Sequence, residues 1–218
     1  EIYTLSLHDA LPILAYLYRE GTIICSDYQR YSIRANIDGK KGRLKYGISV
    51  NPSYSAENYV DSDSQYGSDG VIASALMAPP IFPVKNADGS YNWDMNGYLR
   101  KNLGDGVGDT QTNEVLNPVA LANEVKDFRE KMNILGNAYA SFEIIDGLEY
   151  RITAGGDYYG YARDYYRPST IPLKGNKYIE LDSDPTMPAI PVLSQPKSRN
   201  WSYHYYHWTV SNQLSFKA

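Results

Sequence analysis

The stretch YSIRANI (residues 31–37) decides the fold of this chain, because apolar and polar residues alternate in it without interruption. A second stretch, LKYGISV (residues 44–50), repeats the alternation after the polar turn DGKKG (residues 38–42). Successive side chains of a strand point to opposite sides, so each stretch has one apolar and one polar face. The two stretches therefore predict an antiparallel hairpin with a short turn.

The same alternation returns further along the chain. It runs through residues 132–144 to the hairpin signal Asp146-Gly147, and it resumes over residues 148–154. A last alternating stretch covers residues 201–216, and residues 14–18 have the pattern of a partial strand. We count five strands and one partial strand.

The connections between these strands differ sharply in length. The turns within the hairpins are short, whereas polar loops of about residues 55–125 and 162–199 separate the hairpins. A short helix is predicted within residues 70–77, before Pro79-Pro80. Short turns on one side and long loops on the other are typical of membrane barrels. The predicted fold class is therefore all-β: an antiparallel transmembrane β-barrel wall fragment of about five to six strands with long extracellular loops.

Composition agrees with a membrane-facing wall. The chain has 22 tyrosines but only 4 phenylalanines, and tyrosine is favoured where one end of a ring is dry and the other wet. The net charge of −4 gives no reason to expect nucleic acid as a partner. No uncharged apolar run of about 18 residues occurs, so the sequence excludes a membrane-spanning helix.

The first residues require separate treatment. EIYTLSLHDALPI (residues 1–13) resembles the conceptual translation of a common sequencing adapter, residue for residue. We expect this segment to be artefactual and exclude it from fold reasoning. The expected domain organisation is therefore an adapter-derived segment over residues 1–13 and a partial β-barrel over residues 14–218, with the true termini unknown.

Six motifs, in order along residues 14–218, resemble the SusC/RagA family of TonB-dependent outer-membrane transporters of Bacteroidota. They are RYSIRANID (30–38), LKYGISVNPSYS (44–55), ALMAPPIFPVKNADGSY (75–91), NPVALANEV (117–125), NILGNAYASFEIIDGLEYRITAGGDY (133–158) and WTVSNQLSF (208–216).

The resemblance implies a large barrel in the cell outer membrane, closed by an N-terminal plug that this chain does not contain. It also implies import of oligosaccharides or peptides, a SusD-like lipoprotein as an extracellular lid, and energy supplied through TonB. The partners expected for the intact protein are therefore that lipoprotein, TonB, outer-membrane lipid and the imported substrate.

No residue pattern predicts catalysis or a cofactor. Among the serines there is no Gly-x-Ser-x-Gly nucleophile motif, and the chain is not expected to be an enzyme. His204 and His207 are three residues apart on a predicted strand, so their rings should lie on opposite faces and should not share a metal ion. The predicted catalytic and metal sites are therefore none.

Binding is the chemistry that the sequence does support. Four aromatic residues of the predicted loops, Trp93, Tyr98, Tyr165 and Tyr166, are candidates for contact with a ligand or with the lid protein. Packing of the loops against one another is the alternative role. By strand parity, five cationic residues should face the lumen and pair with acids of the plug or wall: Arg30, Arg34, Arg129, Lys131 and Arg151.

Two other classes of protein remain open from the residues alone. A soluble carbohydrate-binding β-sandwich would also be rich in tyrosine, but its loops should be shorter. A porin-type barrel without a plug would have the same wall, because the plug lies outside this chain.

Overall fold

The strands and helices follow the predicted order. A computed structural model describes residues 12–61, 70–93, 116–172 and 195–217, and the backbone of residues 178–179 and 190–191. Its elements are β1 (Ile13–Glu20), β2 (Asp27–Lys41), β3 (Leu44–Asn58), α1 (Val71–Met77), α2 (Pro118–Glu124), β4 (Lys126–Ile145), β5 (Leu148–Arg167), β6 (Tyr178–Ile179), β7 (Ile190–Pro191) and β8 (Lys197–Phe216). Within the described residues, no helix has the length and apolarity needed to cross a bilayer.

Six long strands form one antiparallel sheet in the order β1-β2-β3-β4-β5-β8. Only β6 and β7 pair apart from it, as a two-stranded sheet of the described chain. Each strand of the main sheet pairs with the next main strand along the chain, which is the connectivity of a barrel wall. The predicted all-β fold and strand number are confirmed, as is the helix predicted within residues 70–77.

The strands are longer than alternation predicted. The turn expected over residues 38–42 is wrong, because pairing continues to Lys41 and leaves only Gly42 and Arg43 in the turn, with Gly42 at φ 60°. The loop expected from residue 162 is also wrong at its start, because β5 pairs with β8 as far as Arg167. Where both faces of a strand contact water, the side chains need not alternate between apolar and polar. The backbone hydrogen bonds do not depend on that alternation, so pairing continues beyond it.

The cross-strand register aligns one apolar row across the sheet. Neighbouring partners in this row are Ile37, Ile48, Ala138, Ala154 and Val210. We call the side of the sheet that carries this row the apolar face, and the opposite side the polar face. The strand parity predicted for the five cations is confirmed in that all of them lie on the polar face.

Two aromatic bands flank the apolar row on the same face. Phe142 and Tyr150 form one band near the short turns, and Tyr158 and Tyr206 form the other toward the long loops. On β4 the two bands lie at Phe142 and at Ile134, which is the partner of Tyr158, so they are separated by the stretch between these two residues. At about 3.3 Å per residue this stretch is roughly 26 Å along the strand, near the length that crosses a bilayer. The apolar face is therefore the lipid-facing side, and the strand ends beyond Tyr158 extend above the membrane.

The small buried core lies in the loops and not in the sheet. Leu116, Leu121 and Ile171 are buried together, and the partly buried Val71, Trp93 and Val125 pack against them. We call the described loop residues 70–93, 116–125 and 168–172 the loop layer. This layer covers the end of the sheet that carries the long connections.

The register places adjacent residues of β8 on opposite faces of the sheet, so the same substitution should have different effects at each. Val210→Arg would place a charge on the apolar face midway between the two aromatic bands, at a cost of roughly 2–4 kcal/mol near the bilayer midplane. Ser211→Arg is the matched control, because Ser211 lies on the polar face opposite Thr153. In the intact protein, heat-modifiable electrophoresis of outer membranes should show loss of folded barrel for Val210→Arg only. Equal loss in both variants would contradict the face assignment.

Candidate functional site

Four tyrosine rings come together on the polar face of β5 and β8, and Trp201 is the next residue of that face along β8. Tyr161 pairs directly with Tyr203, and Tyr159 pairs with Tyr205. Direct cross-strand partners hold their side chains close enough for rings to touch. The ring centroids of Tyr161 and Tyr203 are 4.9 Å apart, and those of Tyr203 and Tyr205 are 5.4 Å apart. Together with Trp201, these residues form what we call the tyrosine platform.

The platform presents its rings to open space. Tyr205 is 63% exposed and Tyr203 is 42% exposed, although each ring also contacts its neighbours. The neighbouring rings of Tyr161 and Tyr203 are nearly parallel, at 28°. Because each tyrosine keeps its hydroxyl at the ring edge, the surface combines flat apolar faces with hydrogen-bonding groups.

Arginine side chains border the platform at its loop end. The guanidinium of Arg163 lies 4.9 Å from the ring centroid of Trp201, and that of Arg199 lies 6.0 Å from the same centroid. These distances are in the range of cation–π contact. Both guanidinium groups therefore lie within cation–π range of the Trp201 ring.

Asp127 binds both neighbouring arginines of the polar face. The Nη2 atoms of Arg129 and Arg163 donate to its Oδ2 at 2.9 and 2.6 Å, and their Nε atoms donate to its Oδ1 at 3.2 and 2.7 Å. The Asp127 side chain is only 3% exposed. Burial acts to raise the pKa of this carboxyl, but the two guanidinium groups outweigh burial and lower the pKa below its usual value. Asp127 lies in the strand end above the membrane and ties β4 to β5 there.

The same group contacts the residue that follows β3, at the start of the first long loop. The Arg129 guanidinium lies 3.4 Å from the ring centroid of Tyr59, and the backbone N–H of Tyr59 donates to the Asp127 carbonyl at 2.8 Å. A cavity of about 130 Å³ lies beside this group, with Asp127, Arg163 and Tyr165 in its wall. The hub formed by Asp127, Arg129 and Arg163 therefore joins the barrel wall to the loops.

Asn117 organises the loop layer. Its Oδ1 accepts from the backbone N–H groups of Val119 and Ala120 at 3.1 Å each, which caps α2. Its Nδ2 donates to the carbonyls of Val84 and Asn92 at 2.7 and 3.0 Å. One side chain, 1% exposed, thus joins two segments far apart in sequence. The helix α2 was not predicted, although Asn117-Pro118 is a helix-start signal, with a capping residue before proline at the first helical position.

The three predicted aromatic residues that the structure describes, Trp93, Tyr165 and Tyr166, do not form one site. Trp93 packs against the loop core and lies 6.3 Å from Tyr91, ring to ring. Tyr165 and Tyr166 belong to β5 and not to a loop, which corrects the prediction, because pairing extends β5 to Arg167. Tyr165 lines the cavity, whereas the adjacent Tyr166 points to the opposite side. Tyr98 lies outside the described residues.

The two histidines lie on opposite faces, as predicted. His204 Nδ1 is 2.9 Å from the Tyr158 hydroxyl on the apolar face, and His207 Nδ1 is 3.2 Å from Asp157 Oδ1 on the polar face. The described part of the chain contains no group of three or more His, Cys, Asp or Glu residues that could hold a metal ion.

Asp127→Asn tests the hub. The substitution leaves two half-buried guanidinium groups without an anion, and breaking such a buried pair costs roughly 3–5 kcal/mol. Hydrogen exchange of the intact receptor should therefore accelerate at the loop ends of β4 and β5. Asp146→Asn is the control, because Asp146 is 95% exposed in its bridge to Arg43 and should change nothing measurable. Unchanged exchange in Asp127→Asn would refute the assigned role.

Asn117→Ala tests the loop layer separately. Loss of the cap costs about 1 kcal/mol, and the two carbonyl bonds are lost with it. Amide exchange in α2 should rise in the intact receptor. Asn58→Ala removes an exposed bond to Asp27 at the same end of the sheet and should leave α2 unaffected. If both variants gave the same exchange in α2, Asn117 would not be the organising residue.

No protein-family model matches the chain. The chain is 32% identical over 160 residues to TonB-dependent receptor P3 of Formosa agariphila, and 29% identical over 160 residues to TonB-dependent receptor P26 of the same organism. These alignments cover 72% and 73% of this chain, respectively. The chain spans only 14% of the length of each relative. Both relatives are named as receptors and not as enzymes.

Solved structures show the same fold. The RagAB peptide importer in the open-open state matches 94% of this chain and 28% of its own, with a TM-score of 0.52 at 15% identity. A further structure of the RagAB peptide transporter gives a TM-score of 0.51 with the same coverage and 15% identity. The barrel-wall fold is thereby confirmed. The comparisons together confirm the predicted resemblance: this chain is similar to part of the barrel wall of SusC/RagA-like TonB-dependent transporters.

Proposed function

We propose that the intact protein is an active transporter of the cell outer membrane that imports glycans or peptides. One observation carries this proposal: a single sheet has an apolar, aromatic-banded face on one side and a wet aromatic and arginine-rich face on the other. Such a wall separates lipid from a polar lumen through which a hydrophilic substrate can pass. Residues 14–218 would form part of that wall, with residues 1–13 adapter-derived.

We further propose that transport is powered through TonB and that a SusD-like lipoprotein closes the barrel from outside. Support for transport powered through TonB comes from the names of the two receptors to which the chain is similar. Support for the SusD-like lid comes from the family resemblance and from the ordered loop layer at the mouth, where a lid would dock. Trp93, Tyr98, Tyr165 and Tyr166 are proposed contacts for ligand or lid, with Tyr165 at the cavity.

The alternatives differ in what supports them. A β-sandwich requires a second sheet packed on the first, and in the described residues the only other sheet is the two-stranded β6–β7 pair. A plugless porin has the same wall as a TonB-dependent transporter. Dependence of uptake on TonB therefore distinguishes a TonB-dependent transporter from a plugless porin.

The test uses the intact gene in its source bacterium. Cells with an in-frame deletion, and cells lacking TonB, are given fluorescent oligosaccharides and peptides, and accumulation in the periplasm is measured. A TonB-dependent transporter predicts that uptake is lost in both strains and returns on complementation. Uptake that needs this gene but continues without TonB would instead establish a passive porin.

A further inference from the structure

We infer that the tyrosine platform binds a negatively charged oligosaccharide on the inner wall of the barrel. This inference rests on the proposed transport function and assigns the substrate class. The platform is built from Tyr159, Tyr161, Trp201, Tyr203 and Tyr205, none of which was among the candidates predicted from sequence.

The ring geometry suits sugar rings. A pyranose has flat C–H faces and hydroxyls at its edge, and an exposed tyrosine offers a flat ring with a hydroxyl at its own edge. Along β8, Trp201, Tyr203 and Tyr205 occupy successive positions of one face, about 7 Å apart by strand geometry. That row can contact more than one sugar of a chain.

The charges around the platform favour an anionic sugar. Six cationic residues lie on the polar face near the loop end of the platform: Arg129, Lys131, Arg163, Arg167, Lys197 and Arg199. Asp127 binds both Arg129 and Arg163, and Glu57 lies 3.9 Å from Lys131, so these three cations share two carboxylates. Within the described residues, Lys197 and Arg199 form no ion pair. The excess positive charge beside the rings would attract a carboxylate or sulfate group.

The platform is less suited to a peptide. Peptides bind either by adding a strand to a free sheet edge or by placing side chains in apolar pockets. The backbone of β5 is paired on both sides, with β4 and β8, so a peptide strand could add only at the outer edge of β8, the last strand of the described sheet, and not on the ring face of the platform. Between Tyr159 and Trp201 the polar face of these two strands carries aromatic and charged residues and no aliphatic side chain.

Tyr205→Ala and Tyr206→Ala form a matched pair for the test. Tyr205 is in the platform, whereas Tyr206 lies beside it on the apolar face, where its ring centroid is 5.1 Å from that of Tyr158. The full-length receptor in detergent is titrated by calorimetry with a panel of uronate-bearing and sulfated hexasaccharides, with maltohexaose and with hexaglutamate. Heat-modifiable migration confirms that each variant is folded.

We expect an acidic hexasaccharide to bind more tightly than maltohexaose. Tyr205→Ala should weaken its binding by roughly tenfold, whereas Tyr206→Ala should leave it unchanged. Arg199→Gln should reduce the preference for the acidic sugar and leave maltohexaose affinity as it was. Equal affinity of Tyr205→Ala and wild type, equal binding of hexaglutamate, or failure of every acidic sugar to bind would each overturn the inference.

Failure of this inference is distinguishable from failure of the proposed function. Uptake that depends on TonB, combined with unchanged oligosaccharide binding by Tyr205→Ala, would support the transporter function and refute sugar binding at the platform. Binding that is lost in Tyr205→Ala, combined with uptake independent of TonB, would retain the platform in a passive barrel.

Discussion

The structure depends on one constraint: hydrocarbon cannot hydrogen-bond to the backbone. Every N–H and C=O group within the bilayer must therefore find a partner in a neighbouring strand, which forces continuous antiparallel pairing. Pairing sets the register, and a shift by one residue would exchange the two faces of a strand. Ile48 and Val210 lie in the same apolar row only because three successive strand pairings keep register across the sheet.

Above the membrane, water contacts both faces of the strands, so apolar burial no longer distinguishes one face from the other. The strand ends are held together there by hydrogen bonds and ion pairs. Asp127 does this by binding two arginines, since an isolated buried charge of either sign would be unstable. Asn117 has the corresponding role in the loop layer, where its amide satisfies backbone groups of α2 and of residues 70–93. Both side chains are almost fully buried, unlike the large residues of the sheet.

Sequence reasoning succeeded where one physical force acted alone. In residues 31–37 and 44–50 the bilayer selects an apolar residue at every second position, so the strands and their faces were predictable. It failed at the strand ends, where Tyr165 and Tyr166 were assigned to a loop. It also missed the tyrosine platform, because Tyr158-Tyr159 and Tyr205-Tyr206 put an aromatic residue on both faces and so remove the alternation.

The sequence by itself determined the class of fold, the hairpins within the membrane, the parity of the lumen-facing cations and the family that the chain resembles. These features depend on local alternation or on short ordered motifs. Only the tertiary structure decided which residues meet across strands. Tyr161 and Tyr203 are 42 positions apart, and Asp127 and Arg163 are 36 apart. Their contacts arise from register and strand length, which depend on backbone pairing between distant segments. Because that pairing leaves no periodic signal in either segment alone, the sequence does not reveal it.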